Sequence, residues 1–177
     1  MATLGMIMCT NGLPRMRTLH LTANGFGDSG MQAFAAALGS GALARLTNLT
    51  LNSNQVGDAG MAAFATAIGS GALPQLEWLS LNNNQIGDAG VSALAEAAAG
   101  GALTQLTNLS LSYNQIGDPG LASLADVCAS GALAKLEELY LSGNQFGDSG
   151  CTALAEACGA RVRANIPQRE PPARGVV

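Results

Sequence analysis

The sequence predicts an α/β solenoid of 30-residue repeats, with short parallel strands lining the concave side of an arc and helices its convex side. Leu19, Leu49, Leu79, Leu109 and Leu139 recur every 30 residues with no insertion or deletion, which is the signature of a repeat architecture. Within each unit the apolar period changes from that of a strand to that of a helix. Strands stack at about 4.8 Å whereas packed helices need about 8 to 10 Å, so a chain of one-strand, one-helix units curves with the strands inside.

The elements follow in order. Met1 and Leu4 align with Met31 and Phe34, so residues 1–12 read as a partial helix, and repeats start near residues 13, 43, 73, 103 and 133. Leu49 and Leu51, flanked by Asn48, Thr50 and Asn52, give a strand with one buried face. Met61, Phe64, Ala65 and Ile68 then form one stripe of an amphipathic helix, repeated as Val91, Leu94, Ala95, Ala98 and as Leu121, Leu124, Ala125, Cys128. Asp28, Asp58, Asp88, Asp118 and Asp148 stand just before these stripes, where each carboxylate is expected to cap its own helix. Pro119 after Asp118 suits a first helical position. Gly41, Gly71, Gly101 and Gly131 follow the helix ends, where a left-handed residue is wanted. Asn24, Asn54, Asn84, Asn114 and Asn144 leave each strand at a turn and are assigned to bonding backbone groups of adjacent turns. Arg161 and Arg163 fall where the pattern requires glycine and leucine, so the domain is expected to end near Ala160. Residues 161–177, with Pro167, Pro171, Pro172 and four arginines, read as a basic, disordered tail.

The repeated text L-x-x-L-x-L-x-x-N, then Phe, Val or Ile, then G-D-x-G, an alanine-rich stretch and G-A-L resembles the leucine-rich-repeat family. The 30-residue unit with a full helix is similar to its ribonuclease-inhibitor-like subclass, which includes the C-terminal repeats of intracellular nucleotide-binding, oligomerisation-domain receptors and the Ran GTPase-activating proteins. The resemblance implies a horseshoe and a protein partner. None of the Ran GTPase-activating group's functional residues can be matched to positions here, so none is carried over.

Composition narrows the function. The net charge is −4, and residues 1–160 hold 11 acidic against four basic side chains, which disfavours a nucleic-acid partner. No apolar run approaches the roughly 20 residues of a membrane span, and Met1 to Cys9 lacks the positive flank of a signal peptide. A cytoplasmic protein is expected. Cys9, Cys128, Cys151 and Cys158 show no C-x-x-C pair. Cys128 and Cys158 occupy matching points of adjacent helices, about 8 to 10 Å apart and beyond the roughly 7 Å limit for a disulfide, so both read as buried apolar residues.

Several motifs invite chemistry without supporting it. Gly25, Gly27 and Gly30 spell G-x-G-x-x-G, yet two of the three belong to the repeat and no acid follows at the ribose distance. The aspartate column lacks the closing glutamate of a calcium loop. The one histidine, His20, has no nucleophile in a recognisable motif. No catalytic residue, metal or cofactor is assigned.

The aromatic distribution is what the fold does not demand. Trp78, Tyr113 and Tyr140 are all the tryptophan and tyrosine present, and they lie at variable positions on or just after strands, whereas all four phenylalanines fall on core positions. The sequence therefore nominates a protein-binding face comprising His20, Asn48, Thr50, Trp78, Ser80, Asn108, Ser110, Tyr113, Glu138 and Tyr140, with Trp78 and Tyr140 about 10 Å apart as its centre. Cross-strand stabilisation is the competing role for these rings. Three further readings stay open: a regulator of small GTPases, suggested only by the resemblance; a sensor or autoinhibitory portion of a larger receptor; and self-association through uncapped solenoid ends.

Overall fold

A computed structural model of the chain describes residues 15–165. The partial helix expected over residues 1–12 and the residues from 166 onward lie outside the described part. Strands and helices alternate: β1 (Thr18–His20), α1 (Asp28–Leu38), β2 (Asn48–Thr50), α2 (Asp58–Gly69), β3 (Trp78–Ser80), α3 (Asp88–Ala99), β4 (Asn108–Ser110), α4 (Asp118–Ala129), β5 (Glu138–Tyr140), α5 (Asp148–Cys158) and β6 (Arg163–Asn165). The strands form one parallel sheet in sequence order, with Leu19, Leu49, Leu79, Leu109 and Leu139 in register.

The alternation of residue types explains which way each strand faces. Leu49, Leu79, Leu109 and Leu139 are at most 1% exposed, as are Leu51, Leu81, Leu111 and Leu141, and they pack against the helix stripe of Met61, Phe64, Val91, Leu94, Leu121 and Leu124. Each internal helix thus buries one face on the sheet and its flanks on neighbouring helices. Helices close at the expected glycines, of which Gly71 adopts φ +85° and donates its amide to Ile68 O. The asparagine column forms a continuous ladder. Asn84 Nδ2 donates to Leu51 O, Leu81 O and Asn82 O while its Oδ1 accepts from Val56 N; Asn54 and Asn114 make equivalent bonds, and Asn144 does so at the last turn. Asn24, at the first turn, is exposed and donates to Thr22 O.

The aspartates cap differently from the expectation. Asp28, Asp58, Asp88, Asp118 and Asp148 are the first residues of their helices, the N-cap in each case being the preceding glycine, and none bonds to its own first turn. Each carboxylate reaches instead to the helix of the following repeat. Asp58 Oδ1 accepts from Gly87 N at 2.7 Å and Gly90 N at 2.9 Å, and Asp28, Asp88 and Asp118 repeat the arrangement on Gly57 and Gly60, Gly117 and Gly120, and Gly147 and Gly150. The second glycine of G-D-x-G is what admits the carboxylate, since a Cβ at Gly90 would stand 2.7 Å from Asp58 Oδ1. Negative charge at a helix N-terminus is favourable whichever repeat supplies it. Asp118 also accepts from Ser149 Oγ at 2.6 Å, and that bond, followed by the Gly147 amide, holds its carboxyl below the ordinary value of 3.8. Among the described residues Asp148 has no following helix to cap.

The domain boundary near Ala160 also requires correction. A 3-10 turn at Gly159–Arg161 replaces the glycine-alanine-leucine connector, and β6 pairs with β5 through Glu138↔Arg163, Leu139↔Ala164 and Tyr140↔Asn165. Val162 is 7% exposed within the core. The sixth strand therefore arrives five residues ahead of the period, with alanine in the slot that leucine fills elsewhere. Residues 163–165 belong to the sheet, and Arg161 and Val162 lead into it from the 3-10 turn.

Candidate functional site

The sheet face opposite the helices carries the side chains that alternate with the buried leucines. Most of them are small and polar, so the face is a floor of hydroxyls and amides. Trp78 and Tyr113 rise from it, 40% and 60% exposed. Among the described residues these two are the exposed large hydrophobic side chains. Together with the half-buried Tyr140 they border a concavity of about 470 Å³, floored by Ser80, Ser110 and Ser112 and closed at one end by Asn165 of β6.

Register fixes where each ring stands. Trp78 shares a row with Asn108 and Glu138, whereas Tyr140 shares the next outward-facing row with Ser110 and Ser80. Two strand spacings and a two-residue offset separate Trp78 from Tyr140 by about 12 Å. Tyr113 lies beyond the end of β4, so the trough has Trp78 on one side and Tyr113 on the other.

Two local features hold the tyrosines. Tyr113 has φ +57°, a conformation shared by Ala23, Ser53 and Asn83 at the matching turns, so the turn imposes it whatever the side chain. A bulky residue is the costliest choice there. Its ring is accommodated because the next repeat supplies Gly143, where a Cβ would overlap the ring carbons. Tyr140 is tied down by its hydroxyl, which donates to Glu138 Oε2 at 2.7 Å, and the same oxygen accepts from Asn108 Nδ2 at 2.6 Å. The bond to Glu138 is the main reason the Tyr140 phenol titrates above its ordinary value, with desolvation adding to it.

Of the residues nominated from the sequence, Trp78, Ser80, Ser110, Tyr113 and Tyr140 meet around the concavity, and Asn108 and Glu138 brace its margin. Asn48 and Thr50 on β2 and the exposed His20 on β1 share the face but do not line it. Asn52 and Asn82 line it as well, and sequence reading missed Asn83, Ser112, Ser142 and Asn165, which also do. For Ser112 a signal was available: it occupies the column of Asn52 and Asn82, two positions past the strand's middle leucine plus one. Asn165 could not have been found without β6.

Elsewhere, Cys128, Cys151 and Cys158 are free thiols. Cys128 is held above the ordinary thiol range, first by its hydrogen bond to Cys158 and then by burial.

A family profile described as Leucine Rich repeat matches residues 14–35, 45–65, 74–95, 102–125 and 132–155. No curated protein is similar enough in sequence to count as a match. Among solved structures, an internalin from Listeria monocytogenes superposes with a TM-score of 0.55 at 22% identity, over 92% of this chain and 38% of the internalin. Actin-binding site 2 of leiomodin-1 superposes with a TM-score of 0.61 at 16% identity, over 89% of this chain and 86% of that one. The chain thus spans well under two thirds of the internalin's length, and at these identities the likeness is one of fold. Because the five profile matches cover more than half of the chain and coincide with its strand-and-helix units, the chain belongs to the leucine-rich-repeat family.

Proposed function

We propose that this chain is a protein-binding module that seats its partner on the open face of the sheet, around Trp78, Tyr113 and Tyr140. The observation that carries this reading is the exposure of Trp78 and Tyr113 on one face and at one concavity, while among the described residues the other large hydrophobic side chains are buried or half-buried. Rigid amphipathic rings with a polar surround are the composition of interface hot spots. The mechanism is surface complementarity, with no chemical step. The leiomodin-1 neighbour, named for an actin-binding site, is a precedent for this fold engaging a protein. The 30-residue period and helices of 11 or 12 residues support placement in the ribonuclease-inhibitor-like subclass. Free thiols at Cys128, Cys151 and Cys158 suit a reducing, cytoplasmic setting.

The test compares the wild-type chain with a Trp78→Ala/Tyr113→Ala double variant as bait in cells that make the protein, with captured proteins quantified by mass spectrometry. The variant is expected to keep its helix content and lose the partner. Recovery of the same proteins in the same amounts would overturn the reading.

A further inference from the structure

The chemistry of the trough selects its occupant. Ser110 and Ser112 are 4% and 8% exposed, yet among the described residues neither hydroxyl has a hydrogen-bond partner. The corresponding hydroxyl one strand earlier, Ser80 Oγ, is taken up by Asn52 Oδ1 at 2.8 Å. No fully enclosed side-chain polar atom is left unpaired among the described residues, so the Ser110 and Ser112 hydroxyls open onto the concavity they line. A ligand covering them must either bond to them or leave them desolvated at a cost.

Charge is the second observation. No residue lining the concavity is ionisable at neutral pH, although the chain is acidic overall. Glu138, beside Tyr140, already has Oε2 committed to Asn108 and Tyr140. A charged group pressed into the trough would lose its hydration without gaining an ion pair. Neutral hydroxyls and amides would not, because each can both give to and accept from a serine.

We propose that the occupant is an uncharged segment of the partner protein, which seats one apolar side chain between Trp78 and Tyr140 and bonds Ser110 and Ser112 through hydroxyl or amide groups. This rests on the reading of the sheet face as a protein-binding site and specifies what that site accepts. The strands that carry Trp78, Ser110 and Tyr140, β3, β4 and β5, each have a paired neighbour on both sides, so a segment seated on their face lies across them and is recognised by side chains rather than by adding a strand. Association is consequently insensitive to salt.

The probe is a library of short random peptides displayed on phage, selected on the full chain and counter-selected on Trp78→Ala. Trp78 is the only tryptophan, so its fluorescence reports binding of each synthetic peptide directly. The expected peptides are poor in Asp, Glu, Lys and Arg and carry an aliphatic or aromatic residue among Ser, Thr, Asn or Gln. Their affinity should change by less than about twofold between about 0.05 and about 0.5 M salt. It should fall about threefold to tenfold in Ser110→Ala/Ser112→Ala. Charge-rich peptides that need Trp78, weaken steeply with salt and respond to Glu138→Gln would overturn the neutral-segment proposal and leave the sheet face as the binding site. Selection without the counter-selection step that yields only peptides bound equally well by Trp78→Ala and Tyr113→Ala would overturn both. Recovery of no peptide at all would overturn the proposal alone, and the capture experiment would then decide the broader reading.

Discussion

Gly90→Ala should destabilise the protein, although alanine is the better helix former by about 0.8 to 1.0 kcal/mol. The new Cβ would lie 2.7 Å from Asp58 Oδ1, 3.0 Å from Ile86 Cγ2 and 3.1 Å from Met61 Cβ. The first contact pushes the carboxylate off the Gly87 and Gly90 amides, which it now meets at 2.7 and 2.9 Å. Losing one charge-assisted bond outright costs about 1.5 to 3 kcal/mol. Overpacking against Ile86 and Met61 adds about 1 to 3 kcal/mol. Setting helix propensity against these leaves a net loss of about 1.5 to 5 kcal/mol, or about 3 to 20 °C in melting temperature for a chain of this size. Urea unfolding followed by far-ultraviolet circular dichroism measures it, and Asp58→Ala supplies the control. Without the carboxylate only the two apolar contacts remain, so the penalty of Gly90→Ala should shrink by about 1 kcal/mol or more, a coupling typical of residues in contact. A Gly90→Ala protein more stable than wild type, or an equal penalty with and without Asp58, would refute the capping of one repeat by another.

Asn84→Ala leaves Val56 N without its acceptor in a site 9% exposed and removes one of the two bonds at each of Leu51 O, Leu81 O and Asn82 O, which keep Asn54 Nδ2, Asn114 Nδ2 and Ser53 N, so a loss of about 1 to 3 kcal/mol is expected by the same unfolding assay. Truncation after Ala160 removes the buried Val162 and the β6 bonds, including Arg163 N to Glu137 O, and should lower stability by about 1 to 3 kcal/mol. Asp118 has its folded pKa below the ordinary 3.8, so its stabilisation is present above that pH and is lost as pH falls through the lower folded value. The stability gap between wild type and Asp118→Ala, measured by urea titration at a series of pH values, should therefore be constant near neutrality and close in acid.

The period made the architecture legible, because every strand leucine and helix stripe repeats without interruption and each has one geometric meaning. That same regularity hid the direction of the aspartate bonds. Gly30 and Gly60 are equivalent under the repeat, so nothing in the text distinguishes Asp28 serving its own helix from Asp28 serving the next. Only the positions of the helices side by side decide it. β6 escaped for the opposite reason: it falls off the period, and Ala164 offers no leucine to mark it. In the site, Trp78, Tyr113 and Tyr140 stood out as residue types that a solvated sheet does not require. The serine floor did not, since small polar residues read alike in a sequence whether their hydroxyls are bonded, as at Ser80, or open, as at Ser110.

The joint between repeats has a consequence for how such a chain can change. Its donors are backbone amides of glycine and its acceptor is one carboxylate, so this bond asks nothing of the neighbouring repeat beyond its Gly-Asp-x-Gly. Excising or duplicating a block of 30 residues in phase restores every such bond, with Asp28, Asp58 or Asp88 equally able to meet whichever Gly-Asp-x-Gly comes next. A cut that breaks phase strands a carboxylate on one side and two amides on the other. The couplings are therefore interchangeable while outward-facing residues such as Trp78 differ from repeat to repeat, whereas Tyr113 also needs Gly143 in the unit that follows.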